Sequence, residues 1–128
     1  MSNDFVIDVE VRYIERESDP SNHRFVFAYT ITIANHGTVA ARLLNRYWRI
    51  TNGEGRVEEV TGPGVVGKQP IIEPGSFFRY TSAAVLETPV GSMEGHYGFQ
   101  ELADAGADTR AFLVPIPVFS LSQPNVVH

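Results

Sequence analysis

The sequence predicts an all-β fold, an antiparallel β-sandwich of seven or eight strands, on three observations. Short stretches alternate apolar and polar residues with period 2, turn residues recur every dozen positions or so, and almost nothing has a helical period. At 128 residues the chain falls in the usual range for one domain, here taken as residues 1–128. About two-thirds of its unfolded surface can be buried at that size, so a core can form without staples. It also has none to use: there are 0 cysteines, which excludes disulfides, thiolate metal sites and cysteine nucleophiles and suits a reducing compartment.

The first strand is expected over residues 5–14, where Phe5, Ile7, Val9, Val11 and Tyr13 share one parity and Asp8, Glu10 and Arg12 the other. Residues 17–22 are a loop by their turn chemistry. Residues 25–34 make the clearest strand, with Phe25, Phe27, Tyr29, Ile31 and Ile33 on one face and Thr30 and Thr32 on the other. Asn35-His36-Gly37 tolerates positive φ, so a tight reversal is expected there.

From Val39 the apolar parity runs through Ala41 and Leu43, then shifts to Leu44, Trp48 and Ile50. Faces of period 2 cannot swap without an extra residue, which predicts a bulge at 43–45. Asn52-Gly53-Glu54-Gly55 closes a hairpin onto residues 56–60. Residues 61–70 are expected to be irregular loop, and Glu73-Pro74-Gly75 a turn. Another strand is predicted over 76–82. Residues 83–88 offer one turn of helix, limited by Pro89 and Gly91.

Residues 92–102 alternate again, Met93, Gly95, Tyr97 and Phe99 against Glu94, His96 and Gln100. Residues 104–108 join them to a last strand containing Pro115 and Pro117. Proline cannot donate to a ladder, so that strand belongs at an edge. The tail from Gln123 is expected to be loosely held.

Two details sharpen the sandwich towards an immunoglobulin-like one. Trp48, the single tryptophan, falls on the third strand, and Tyr97 precedes Phe99 by two residues, the spacing of a tyrosine corner. Trp48 and Tyr97 are therefore expected to be buried, with the phenol hydrogen-bonded. A partly open barrel is the alternative architecture.

Charge and hydropathy narrow the function classes. A net charge of −5 with interspersed signs argues against a nucleic-acid-binding face. No apolar run approaches the roughly 18 residues of a membrane span, and residues 1–4 lack the pattern of a secretory signal. A cytoplasmic protein with no nucleic acid and no membrane among its partners is the expectation.

Four candidate sites follow. Gly62-Pro63-Gly64-Val65-Val66-Gly67 matches G-x-G-x-x-G and, with Lys68, G-x-x-x-x-G-K. Such loops bind phosphate through backbone N–H groups at a helix N-terminus. Here Gln69 replaces the magnesium-binding Ser or Thr, Pro63 removes a donor, and Pro70 leaves no room for a helix. Gly62, Gly64, Gly67 and Lys68 are thus candidates only for a loop that takes a nucleotide or pyrophosphate anion, and a tight interstrand loop is the favoured reading. Glu94 and His96 share a strand face and could ligate a metal together, yet two ligands are not a site. No spacing marks a nucleophile or a paired-carboxylate cleft, so neither an enzyme nor a cofactor is expected. Arg46, Tyr47, Arg49 and Arg56 gather around the central hairpin, a composition suited to a protein-interaction face. An exposed edge strand also permits self-association or addition of a partner's strand.

Taken together, Phe25-Val26-Phe27-Ala28-Tyr29-Thr30, Arg46-Tyr47-Trp48, Ile50-Thr51-Asn52-Gly53, the 62–67 loop, residues 87–97 and Ile116-Pro117-Val118-Phe119 resemble the ApaG family of bacterial proteins. The resemblance spans nearly the whole chain, with Pro63 the one departure. It implies a fold similar to fibronectin type III and immunoglobulin sandwiches. It also implies kinship with domains of F-box adaptors and of a polymerase-interacting protein, which bind other proteins. Bacterial members are linked genetically to cobalt resistance and magnesium efflux, beside genes for a diadenosine tetraphosphate hydrolase and an rRNA methyltransferase. No activity follows from the resemblance.

Overall fold

A computed structural model describes residues 4–102 and 109–124. Its strands are β1 (Phe5–Tyr13), β2 (Phe25–Asn35), β3 (Ala41–Asn52), β4 (Val57–Pro63), β5 (Ile71–Ile72), β6 (Phe77–Leu86), β7 (Val90–Glu101) and β8 (Ala111–Ser122). They form two antiparallel sheets. One has the order β1-β2-β6; the other runs β4-β3-β7-β8, with β5 also pairing β3. The sandwich is thus of eight strands among the described residues. β4 stays beside β3 through its tight hairpin, whereas an immunoglobulin constant domain gives its first sheet a fourth strand.

Alternation decides what goes inside. Phe25, Phe27, Tyr29, Ile31 and Ile33 of β2 are all buried, while Thr30 and Thr32 face out. The outward threonines bind β6 across the sheet, Thr30 with the Thr81 hydroxyl at 2.8 Å and Thr32 accepting from Arg79 Nε at 2.9 Å. Trp48 sits between the sheets, 3% exposed, edge-on to Tyr29, Tyr97 and Phe119. Tyr97 is fully buried, and its hydroxyl bonds that of Tyr80 on the opposite sheet. This differs from a tyrosine corner, whose hydroxyl returns to nearby backbone.

The bulge falls where the parity shift requires it. Leu43 pairs Phe99 and Asn45 pairs Gly98, which leaves Leu44 as the extra residue. Its carbonyl accepts from the Gly64 amide and from Gln69 Nε2, both at 2.8 Å, so the bulge anchors the following loop.

Several local expectations are corrected. Residues 83–88 do not form a helical turn: β6 continues to Leu86, with Ala84 and Leu86 inward and Ala83 and Val85 outward. Pairing with Phe25 and Phe27 of β2 outweighs the weak helical preference of two alanines. Residues 61–70 are less irregular than expected, since β4 extends to Pro63 and Val65 pairs Lys68. Asn35-His36-Gly37 makes no hairpin and none of the three has positive φ. The chain instead crosses from one sheet to the other, and the buried Asn35 amide donates to the carbonyls of Val39 (2.9 Å) and Ile72 (3.0 Å) to hold the crossing.

β8 lies at an edge, as its prolines demand, and its register slips between the Gly95–Ile116 and Met93–Phe119 pairs, around Pro117. Gln123 is tethered by its amide to the Pro89 carbonyl at 2.9 Å. The 104–108 connection and the tail beyond Pro124 lie outside the described residues. No described helix is long and apolar enough to cross a membrane.

Candidate functional site

The four residues proposed for an interaction face separate in three dimensions. Tyr47 and Arg49 project from the outer face of β3. The Tyr47 ring stacks on His96 of β7 at 5.0 Å, and its hydroxyl donates to Glu59 of β4 at 2.6 Å. That bond to a carboxylate raises the phenol's pKa. Arg56 lies in the hairpin, 3.6 Å from Glu87, an exposed pair worth little. Arg46 has the parity of Trp48 and turns inward.

Glu94 and His96 are on the same outer face, opposite Arg49 and Tyr47 in register. Among the described residues no three His, Cys, Asp or Glu side chains gather as a metal site.

Each glycine of the 62–67 loop has its own steric reason. A Cβ on Gly62 would meet the Arg46 guanidinium at 3.1 Å. One on Gly64, at φ +60°, would strike the Lys68 carbonyl. Val66 and Gly67 take φ of 42° and 80°, the pattern of a two-residue hairpin turn closed by Val65 and Lys68. The Gly64, Val65 and Lys68 amides all donate to backbone carbonyls at 2.8–2.9 Å. No helix follows; the next regular element is β5.

Beneath this loop the structure assembles a group that the spacing of the sequence does not display. A cavity of about 130 Å³ is lined by Tyr29, Arg46, Trp48, Val65, Val66, Tyr80 and Ser82. Arg46 Nη1 donates to the carbonyls of Pro63 and Gly64, each at 3.0 Å, which fixes the guanidinium under the loop. Ser82 pairs with Tyr29 in register across the sheet, and the Tyr80 hydroxyl bonds that of Tyr97. Burial pushes the phenols of Tyr29, Tyr80 and Tyr97 above the ordinary range, so all three stay protonated at neutral pH. The one signal in the sequence was parity: Tyr29, Tyr80 and Tyr97 occupy inward positions where an apolar residue would be ordinary.

The ApaG domain model (DUF525) matches residues 15–101. The chain belongs to the ApaG family. Protein ApaG of Pectobacterium atrosepticum is 53% identical over 122 residues, 95% of this chain and 94% of that protein. Protein ApaG of Proteus mirabilis is 54% identical over 127 residues, 99% and 98% of the two chains. Among solved structures, the putative ApaA protein from Bordetella pertussis superposes with a TM-score of 0.87 at 44% identity, covering 97% of each chain. This ApaG domain therefore has the sandwich of its family, and the inward-facing arginine and tyrosines are built into that sandwich.

Proposed function

We propose that this ApaG domain is a non-catalytic protein-interaction module of the cytoplasm, and that it takes its partner as an added strand on the open edge of β6. One observation supports the reading above others: β6 is the sheet edge with no device against pairing. β1 carries Asp8, Glu10 and Arg12, β4 carries Glu58, Glu59 and Pro63, and β8 carries two prolines and a bulge. Charges, prolines and bulges are the usual means of blunting an edge. Over ten residues β6 has one charge, Arg79, and neither proline nor glycine, and it exposes Phe77 and Val85 by 57% and 51%.

A second copy of the chain is the occupant this edge suits best. Antiparallel β6–β6 pairing about Thr81 sets Thr81 against Thr81 and Phe77 against Val85, which keeps apolar and hydroxyl groups matched on one face. On this reading the domain performs no reaction and needs no cofactor, and any link to cobalt resistance or magnesium efflux runs indirectly, through a partner. The Tyr47, Arg49 and His96 face is a secondary surface.

Amide hydrogen exchange of β6 in isotope-labelled protein tests the proposal, in dilute solution, in concentrated solution and in cell extract. Protection that rises with the protein's own concentration identifies a second copy. Protection that appears only in extract identifies a different partner on the same edge. Equal exchange in all three conditions rejects the edge as an interaction site.

A further inference from the structure

We propose that the cavity beneath the 62–68 loop is a binding site for a small tetrahedral oxyanion, inorganic phosphate or a terminal phosphoryl group, with Arg46 as its charge partner and the Tyr29 and Tyr80 hydroxyls as donors. The inference is independent of the β6 edge: it uses the inward face of the sandwich, and either can fail without the other.

The cavity holds a charge without a counterpart. Arg46 is half-buried between two sheets of a chain with 15 acidic and 10 basic residues, yet no carboxylate lies within ion-pair distance of it among the described residues. Its fixed partners are the neutral carbonyls of Pro63 and Gly64. They occupy Nη1 and orient the fork, leaving the donors of Nη2 and Nε. A planar guanidinium held in this way is suited to a phosphate or carboxylate edge.

The phenols add protons. A hydroxyl has one to donate. Tyr80 and Tyr97 share one bond between two hydroxyls, either of which can donate; because Tyr97 is fully enclosed, the spare proton has room only at Tyr80, which lines the cavity. Tyr29 lines the same cavity, paired in register with Ser82 across the sheet. Two phenols and a guanidinium thus line one space and can turn donors into it. Because burial keeps the phenols neutral, no phenolate competes with an incoming anion.

Size limits what can enter. The cavity, about 130 Å³, is on the scale of a phosphate with its first waters rather than of a whole nucleotide. A nucleotide would insert its terminal phosphoryl group and leave the remainder outside, against Val66, which is 53% exposed on the loop. The glycine loop then serves the anion sterically. Gly62 makes room for the guanidinium that meets it, and the loop's amides are not the ligands.

Titration with inorganic phosphate, and separately with ATP, followed by NMR at the Arg46 Nε–H and the Val65 and Val66 amides, tests the site. Wild type, Arg46→Gln, Tyr29→Phe and Tyr80→Phe are compared, each first shown to be folded by circular dichroism. Saturable shifts with phosphate are expected, weakened tenfold or more in Arg46→Gln and severalfold in either phenylalanine variant. Tighter binding of ATP, with shifts spreading along the loop, identifies a phosphoryl end; equal or weaker binding identifies the free anion. The proposal is overturned if millimolar phosphate and ATP both leave Arg46 unmoved, or if the shifts persist in the folded variants. Tyr29→Phe preserves the Tyr80–Tyr97 pair, so it remains decisive if Tyr80→Phe fails to fold.

Discussion

A phenol enclosed as completely as Tyr97 can stay inside only while protonated, and this has a consequence for stability at alkaline pH. Burial raises the pKa of Tyr97, Tyr80 and Tyr29 above the unfolded value near 10. Below pH ~10 both states keep these protons, so stability is independent of them. Above it the unfolded chain ionises first, and stability falls by up to about 1.4 kcal/mol per pH unit for each tyrosine. Urea midpoints between pH 8 and 11.5 should show a plateau and then this decline. Tyr97→Phe should lose about 1 kcal/mol at neutral pH with the Tyr80 bond, yet decline less steeply above pH 10. Trp48→Ala should cost about 3–5 kcal/mol, measured by chemical denaturation, because its ring fills the space among Tyr29, Tyr97 and Phe119. Burial of Trp48 and Tyr97 was legible from alternation alone. The inward turn of Arg46 was legible in principle, since it shares the parity of Trp48, but its charge argued for the surface.

Among the elements, β3 shows how one residue sets a whole face. Leu44, the bulge residue, puts Leu43 and Trp48 inside on either side of it. Deleting Leu44 should leave Leu43, Arg46 and Trp48 on the inner face of a regular ladder but release the loop that its carbonyl holds, read as retained near-ultraviolet dichroism with faster amide exchange at Gly64. The parity shift revealed this bulge because a swap of period-2 faces has no other local remedy. The helical turn expected at 83–88 failed for the opposite reason. Alanine preference is weak, and the partner that extends β6, residues 25–27 of β2, is almost sixty positions away. Ala83→Lys with Val85→Lys should change stability by no more than about 0.5 kcal/mol per site, since both side chains face solvent. The same pair of lysines should abolish any self-association through β6, measured by sedimentation equilibrium.

For the whole molecule, an anion that binds the folded state and not the unfolded one must stabilise the fold. Phosphate at a hundred times its dissociation constant should raise stability by about 2.7 kcal/mol over chloride at equal ionic strength, read by thermal melting, and Arg46→Gln should remove the gain. What the sequence determined alone was local in origin: the strands by their period, the turns by glycine, asparagine and proline, the edge position of β8 by its prolines, and the bulge by its parity. The family, too, was readable from spaced matches along the chain. Tertiary structure decided what depends on two sheets meeting. It carried the chain across at Asn35, joined Tyr80 to Tyr97, and brought Arg46 of β3, Tyr29 of β2 and Tyr80 of β6 to one cavity. Period 2 determines which way a side chain points, but only the packing of one sheet on the other determines what it meets there.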